Sequence, residues 1–529
     1  MGRKKKLQPF FDEIIPDSQP ALDKLTALLD NPEHRTGRVI SDKELDEESV
    51  TTLFLKGWLQ SITDGLYYLK EQGKWEWDDP TPWYMAYWDA VVAYLSGKYG
   101  ERWCLGSEDS LLYYAENGLI PRQLAVRTPD DETHVVSLPW GYELLVVKSF
   151  VPEDVVTNPR FGVRLYPLVP ALLAASPGFY LMHPTEARTC LAMELIPGDV
   201  AYDAAVTGFR NGAARIAGGL ASMGHDRLAD SIMEIMDGAG RGVEIVNPFT
   251  GDVRIPEEPH AIASRIRLLW IQMHPEVLAA RPDCHDTLRP WTPSEVMTMT
   301  EGIIIEDAAA SLAIWGARAS ESLARSIADG SWNYDVLVKE AGDEEEVATA
   351  AGYFDAFRRV QTDILDSLTG GMEPEVLLGR ILEWQEKLVK PMEEHGLMEE
   401  GEIGHSYRRH ECFVRTLEHI PVGPDEIPHA VHALGELLAA EKDPFVRAVL
   451  GGFFLNYIHP VRKVSGLLVR LFMNSQLVTA GYPWITFSGD DADEYVRTLD
   501  LACVKNQIRP FAELVSRVIA VSADEEEIR

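Results

Sequence analysis

The chain of 529 residues has few cysteines and no long apolar run. The five cysteines, Cys104, Cys190, Cys284, Cys412 and Cys503, form no Cys-x-x-Cys pair, which argues against a zinc site and against a disulfide framework. No segment approaches the roughly 18–20 apolar residues of a membrane-spanning helix, and the N-terminus reaches proline and acid before an apolar run of signal length. We therefore expect a protein of the reducing cytoplasm, without a membrane partner.

Basic residues are scarce beside acidic ones. The chain has 49 Lys and Arg against 83 Asp and Glu, a net charge of -34. A negative field of this size opposes non-specific attraction to phosphate backbones. DNA binding is therefore less expected than contact with another protein.

The length and a hydrophobic content of 46% are sufficient for two to four domains with proper cores. The N-terminal half reads as mixed α/β. A helix and a strand pair around Asp64-Gly65 are typical of a winged-helix-like domain over 1–125, including the lead-in. Alternation around Leu124 and Val126, followed by short strands and helices, predicts an α/β domain over 126–250.

The segment VNPFTGDVRIPEEPHA is rich in turn residues and predicts a linker. Beyond it almost every segment has helical spacing, so 258–529 is expected to be an all-α domain. The exception is a strand-like run ending in a proline-bounded turn, which predicts a small β-hairpin within 411–428.

The candidate catalytic and phosphate-binding residues lie near the end of this domain. A helix that begins after the small residues Ser465 and Gly466 presents unpaired N–H groups and the positive end of its dipole, which together attract phosphate. His459 lies just upstream as a candidate base, and Arg470 follows one turn into the helix as a phosphate partner. Taken alone, a histidine beside a proline is more often structural than catalytic.

The stretch HPVRKVSGLLVR (459–470) resembles the Fic (Fido) motif HxFx[DE]GNGRxxR, and the segments around it resemble the Fic fold. His459, Gly466 and Arg470 stand where the motif requires them. The resemblance implies that His459 removes a proton from a target hydroxyl, which then attacks the α-phosphate of a nucleotide, usually ATP.

Other motif positions depart from the family. Lys463 replaces the acid that holds Mg²⁺, so Mg²⁺ is not expected and no metal ligand is assigned. Val464 and Ser465 stand in the glycine-rich anion loop, and Leu467 replaces the first motif arginine. The remaining candidates for nucleotide contact are Lys463, Ser465, Gly466 and Arg470.

An inhibitory helix is expected at 305–320. Many Fic proteins carry the pattern [ST]xxxE[GN], whose glutamate pairs with the second motif arginine. Ser311 and Gly316 match that pattern, but Trp315 replaces the glutamate. Either nothing is left to inhibit, or Trp315 stacks on Arg470 or fills the pocket, or it is an ordinary core aromatic.

The segment 411–428 resembles the Fic flap, a hairpin that pairs with an extended piece of the target. Its predicted target-binding residues are Val414, Arg415, Thr416 and Leu417. An ordinary hairpin over the core is the alternative. The N-terminal half is similar to antitoxin regulators of bacterial abortive-infection systems, yet its recognition-helix region, KELDEESVTTLFLKGW, is acidic.

Three functions are compatible with these observations. The leading hypothesis is a Fic-like pseudoenzyme or regulator with a degenerate AMPylation site, in a bacterial toxin-antitoxin-like or phage-defence setting. It would act by binding a protein partner or a nucleotide, such as ATP. The second is a rebuilt, metal-independent transferase, in which His459 remains the base and Arg462 and Lys463 supply the positive charge of the missing metal. The simpler interpretation of Arg462 and Lys463 is a pair of solvated surface residues. The third is a DNA-binding autoregulator. The sequence leaves the oligomeric state open.

Overall fold

The computed structural model describes residues 18–528, apart from 32–33, 35–36, 64, 72–74, 77, 319, 331, 371–373 and 399–404. The side chains of 286–287, 374–375 and 524–528 are also outside the description. The chain divides into two compact units. Unit 1 contains the residues up to 257 together with 413–420, and unit 2 contains 258–412 and 421–529.

The described residues of unit 1 form three small sheets. The first is antiparallel in the order β1-β3-β2, the second has the order β4-β5-β7-β6 with β5 parallel to β7, and β8 pairs with β9. The strands are β1 Val39–Ser41, β2 Leu59–Thr63, β3 Leu66–Leu69, β4 Cys104–Leu105, β5 Gln123–Thr128, β6 His134–Ser137, β7 Glu143–Lys148, β8 Val156–Thr157 and β9 Arg164–Leu165.

Helices make up most of the rest of unit 1. They are α1 Gln19–Leu29, α2 Glu47–Lys56, α3 Thr81–Tyr99, α4 Ser107–Tyr114, α5 Leu168–Ala174, α6 Pro177–Met182, α7 Pro184–Ala192, α8 Pro197–Thr207, α9 Arg210–Ser222 and α10 Asp226–Gly238, with a 3-10 turn at Pro139–Gly141. The predicted helix and strand pair are confirmed as α2, β2 and β3, although Asp64 itself lies outside the described residues. Their assignment to a winged helix stays a prediction.

The predicted strand alternation around residue 125 is also confirmed. One face of the second sheet is buried, and it carries Leu124 and Val126 of β5 and Leu144 and Val146 of β7. This face packs against the aromatic helix α3. The predicted domain boundary between residues 125 and 126 is therefore wrong, because it falls inside a paired strand at the core of unit 1.

All regular secondary structure in the described residues of unit 2 is helical, in agreement with the predicted all-α character. Its helices are α11 Ala261–Ala279, α12 Pro293–Trp315, α13 Ser320–Ala328, α14 Tyr334–Ala341, α15 Glu344–Leu368, α16 Ile381–Glu394, α17 Ile427–Ala440, α18 Pro444–Ile458, α19 Ser465–Thr479, α20 Asp490–Lys505 and α21 Arg509–Ile528, with 3-10 turns at Asp283–Thr287, Pro374–Arg380 and Pro424–Glu426.

Two neighbouring helices, α18 and α19, form the centre of unit 2. Both are apolar on nearly all sides and buried along most of their length, as expected for core helices. They pack closely because Gly451 and Gly452 leave room: a Cβ on these residues would lie 2.5 Å from Phe472 and from Met473 respectively. The short connection between α18 and α19 carries the motif.

The predicted β-hairpin at 411–428 is wrong. Residues 411–423 contain a turn and one isolated bridge, followed by the 3-10 turn. The bridge joins His419 to Leu119 of unit 1, so the backbone pairs with another part of the chain instead of with itself. Residues 413–420 accordingly belong to unit 1 and not to the helical unit.

Among the described residues, none of the helices combines the length and the low polarity that crossing a membrane requires.

We expect Gly352→Ala to destabilise the protein by about 1–3 kcal/mol, because overpacking at a rigid contact has this cost. A Cβ at Gly352 in α15 would lie 2.0 Å from the backbone oxygen of Leu388 in α16. Urea unfolding monitored by circular dichroism would measure the change. Gly379→Ala is the matched control, since its Cβ would meet nothing within 4 Å; equal stability of the two variants would contradict the close helix contact.

Candidate functional site

The motif occupies the connection between α18 and α19. α18 ends at Ile458 and is capped by His459, which adopts a left-handed backbone conformation with φ 51° and ψ 60°. Lys463 is also left-handed, with φ 64°. α19 then begins at Ser465 without a side-chain cap, so its first N–H groups have no acceptor within the helix. These donors and the helix dipole favour an anion, and nucleotide contact by Ser465 and Gly466 stays a prediction.

Arg408 anchors the beginning of this connection. Its Nε donates to the His459 carbonyl at 2.8 Å, and Nη1 donates to the His410 carbonyl at 3.0 Å. Nη2 donates to the carbonyl of Val422 and lies 3.5 Å from that of Ile458. A buried guanidinium thus satisfies the last carbonyls of α18, which carry the negative end of the helix dipole.

The imidazole of His459 is neutral near pH 7. Burial, together with the positive charge of Arg408, lowers its pKa to about 4, although the Asn456 backbone carbonyl favours the protonated form. Its Nδ1 is buried and makes no hydrogen bond within the described part of the chain. The open nitrogen has a lone pair that can accept a proton, but the low pKa makes the ring a weak base at neutral pH, so the catalytic role of His459 stays a prediction.

Arg470 is engaged by the predicted inhibitory helix. Its Nε donates to Ser311 Oγ at 3.0 Å and its Nη2 donates to the Ser311 carbonyl at 2.8 Å. Its guanidinium also lies 5.7 Å from the ring centre of Tyr495. Arg470 is buried, and two of its donors are used by Ser311, so the cation expected to hold phosphate is held by α12.

A buried polar network continues from this contact. The Tyr353 hydroxyl donates to Asp307 Oδ2 at 2.5 Å and lies 3.3 Å from Ser311 Oγ. Thr486 donates to the other oxygen of Asp307 at 3.2 Å. Burial raises the pKa of Asp307 above its usual range, despite the hydrogen bond from Tyr353 and the positive charge of Arg470. The network fixes α12 one turn before Ser311.

Trp315 contacts the motif as well. Its indole Nε1 donates to the Lys463 carbonyl at 2.9 Å. The predicted stacking on Arg470 is not among the ring contacts of the described residues; Trp315 instead fixes the left-handed turn. Gly316 then ends α12 with φ 115°, so the helix spans 293–315 and not the predicted 305–320.

Lys463 does not fit a metal site. Its ammonium donates to the Leu397 carbonyl at 3.1 Å and pairs with Glu345 at 3.2 Å. A protonated amine cannot ligate Mg²⁺, so the position is filled by an internal cation. No group of three or more His, Cys, Asp or Glu side chains in the described ranges is arranged to hold a metal ion.

Two residues of the motif segment belong to the core. Val464 and Leu467 are both completely buried, whereas the family pattern has a glycine and an arginine at these positions. The structure thus brings together Arg470 with Ser311, and Lys463 with Trp315. The predicted target-binding residues belong to unit 1, whereas the motif belongs to unit 2; they are Val414, Arg415, Thr416 and Leu417.

The sequence reasoning missed three residues of the site. Arg408 gave no motif signal, and Asp307 and Tyr353 looked like ordinary members of helices. A weak signal existed for Asp307, which stands four residues before Ser311 and therefore on the same helix face. The contacts of Arg408 could not be predicted, because its partners are backbone carbonyls, which every residue type provides.

Part of the chain is similar to proteins described as protein adenylyltransferase Fic. The protein from Nematostella vectensis is 33% identical over 116 residues, covering 21% of this chain and 26% of that protein. The protein from Drosophila mojavensis is 31% identical over 117 residues, covering 21% of this chain and 23% of that protein. The chain therefore spans about a quarter of the length of these curated relatives. No family model matches the chain.

Solved structures of Fic proteins were also found. Fic-1 from C. elegans is 16% identical with a TM-score of 0.37, covering 64% of this chain and 91% of that chain. A Fic family protein from Desulfovibrio desulfuricans G20 is 19% identical with a TM-score of 0.34, covering 49% of this chain and 73% of that chain. The family similarity rests on the aligned stretch of sequence.

We expect NMR titration of His459 to give a pKa of about 4, against an ordinary value of 6.5. Between these values the unfolded chain binds a proton that the folded chain does not, so this residue's contribution to stability is lost as pH falls from 6.5 to 4. His459→Gln removes that contribution. Parallel stability curves of the wild type and His459→Gln over this pH window would contradict the assignment.

We expect Trp315→Phe to lower the free energy of unfolding by about 0.5–1.5 kcal/mol more than Trp332→Phe does, because it removes the hydrogen bond to Lys463. Trp332 is exposed and is the matched control. Thermal and urea unfolding would measure both changes. Equal losses in the two variants would show that the indole bond adds nothing to stability.

Proposed function

We propose that unit 2 is a Fic-like nucleotide-handling domain held closed by its own helix α12, and that the protein is a regulator and not a constitutive adenylyltransferase. The observation that carries this proposal is the pairing of Arg470 with Ser311. A phosphate group must compete with a buried internal partner for the same donors. The similar proteins are described as adenylyltransferases, which supports ATP as the first nucleotide to test.

Two further features support closure. The ammonium of Lys463 donates to the Leu397 carbonyl and pairs with Glu345, so this second cation of the motif also has partners within the protein. Trp315 holds the carbonyl of the same lysine. The usual inhibitory glutamate is absent, but the helix end contacts the motif through Ser311 and Trp315 instead.

The neutral imidazole of His459 supports a second candidate, a metal-independent transferase. Opening of α12 would release Arg470, while the N-terminus of α19 would remain available for an anion. In that case His459 would take the proton from a hydroxyl of a protein target, whose oxygen then attacks the α-phosphate and displaces pyrophosphate. The regulator remains the first proposal because both cations are engaged.

The biological setting is proposed from the resemblance of the N-terminal half to abortive-infection antitoxins, namely a bacterial toxin-antitoxin-like or phage-defence system. A DNA-binding role has less support. α2, the helix before the strand pair, starts with Glu47 and Glu48 and carries only Lys56 in its last turn. Its first turn would repel the phosphate backbone.

We expect opening of α12 to create nucleotide binding. Isothermal calorimetry would compare ATP, GTP, CTP and UTP, with and without Mg²⁺, on the wild type and on the double variant Ser311→Ala, Trp315→Phe. The double variant should bind ATP without metal at least about tenfold more tightly, equivalent to 1.4 kcal/mol. Adding Arg470→Lys should reverse the gain, because a lysine cannot replace the bidentate fork.

Three results would contradict this proposal. Equal ATP affinity of the wild type and the double variant would show that α12 does not close the site. No binding by any variant would end the nucleotide proposal. Transfer of α-labelled nucleotide to protein by the wild type, lost in His459→Ala, would replace the regulator by the transferase.

A further inference from the structure

A cleft of about 600 Å³ lies in the helical part of unit 1. Its walls are the helices α6 and α9 and the segment 243–249, which follows α10. Most of the lining is apolar, and the large side chains come from Leu181, Val243, Val246 and Phe249. This size and this kind of lining are typical of a site for a small molecule. All of the lining residues belong to unit 1, so the cleft is separate from the motif.

Glycines in α9 allow the walls of the cleft to approach one another. A Cβ on Gly218 would lie 2.1 Å from the carbonyl oxygen of Val246, and a Cβ on Gly212 would lie 2.4 Å from that of Leu173 in α5. The Val246 amide also donates to the carbonyl of Ala214 in α9 at 3.3 Å. The cleft is therefore preformed, because contacts between backbone atoms fix its walls.

Arg215 places a half-buried guanidinium at the cleft. Its Nη2 donates to the carbonyl of Ala175 at 2.7 Å and lies 3.5 Å from that of Leu173, so it binds the end of α5. Its Nε is buried and makes no hydrogen bond within the described residues. A guanidinium has five N–H donors, so the contact with α5 fixes its position without satisfying it.

The charge of Arg215 has no counter-ion within the part of the chain that the structure describes. Other half-buried arginines differ in this respect, since Arg267 and Arg359 each pair with two carboxylates. The chain as a whole has a net charge of -34 and thus a large excess of carboxylates. A guanidinium that pairs with none of them is suited to a carboxylate from outside the chain, which matches its planar fork.

Glu244 limits the charge that the cleft accepts. It is exposed and also lines the cleft. A ligand with one negative charge gains the attraction of Arg215, whereas further charges meet the repulsion of Glu244. A monocarboxylate with an apolar body therefore suits both the cation and the apolar walls, and a nucleotide, with its several charges, does not.

We propose that this cleft of unit 1 binds a small monocarboxylic acid with an apolar body, of the medium-chain fatty acid type. The carboxylate pairs with the guanidinium of Arg215, and the apolar body lies against Leu181, Val246 and Phe249. The site goes beyond the proposed nucleotide handling in unit 2 and does not depend on it. It gives the protein a second ligand of a different chemical class.

Isothermal calorimetry on the full chain tests the head group with octanoate, 4-phenylbutyrate and the neutral 1-octanol. The wild type should bind octanoate at least about tenfold more tightly than octanol, because hydrogen bonds to a charged group are strong. Arg215→Gln should remove this preference by weakening octanoate alone. Arg210→Gln is the matched control, since it removes the same charge from an exposed position of α9 that does not line the cleft; it should leave both affinities unchanged.

A second pair of variants tests the cleft without disturbing the contact between Arg215 and α5. Leu181→Asp adds a carboxylate to the lining, and Met182→Asp adds one at the next residue, which does not line the cleft. Both side chains are exposed, so the fold should tolerate both changes. Leu181→Asp should weaken octanoate binding about tenfold or more, because like charges repel, whereas Met182→Asp should not.

The absence of binding of both acids to the wild type would overturn the proposal. Equal affinities for octanoate and octanol would also overturn it, as would equal losses within either pair of variants. ATP titrated into the same samples separates this site from the proposed function of unit 2. Octanoate binding without any nucleotide binding would keep the cleft and reject the Fic-like function, whereas the reverse result would reject the cleft alone.

Discussion

The guanidinium of Arg408 is the interaction on which the site depends. It is buried, and its partners are backbone carbonyls from three separated stretches of unit 2, including that of His459. A buried cation left without acceptors is strongly destabilising, so these carbonyls must stay together. Their position ends α18, sets the left-handed turn at His459 and determines where α19 starts. The same positive charge contributes to the low pKa of the imidazole.

The substitutions in the motif form a consistent physical pattern. Val464 and Leu467 lie where the Fic motif has a glycine and an arginine, and both are core residues. On the facing helix, Ser311 binds the guanidinium of Arg470 and Trp315 binds the carbonyl of Lys463. The two sides of this contact therefore form internal packing.

Local sequence patterns predicted some elements correctly and others wrongly. Strand β5 was predictable because its alternation depends only on neighbours in the sequence, and the helix after Gly466 because its start signals are local. The hairpin failed because the partner of His419 is Leu119, about 300 residues away, and strand-like residues do not reveal their partner. The role of Arg408 was hidden because its acceptors are carbonyl groups, which every residue has.

The attachment of 413–420 to unit 1 has a consequence for biosynthesis. The N-terminal part of unit 1 ends at residue 257, but its last strand partner is encoded after the 155 residues of 258–412. At roughly 5–20 residues per second, a ribosome needs about 8–30 s to supply it. During that interval the edge at Gly118–Ile120 and the core position of Ile420 are unfilled on the nascent chain. The protein therefore completes its first unit only after most of its second has been translated.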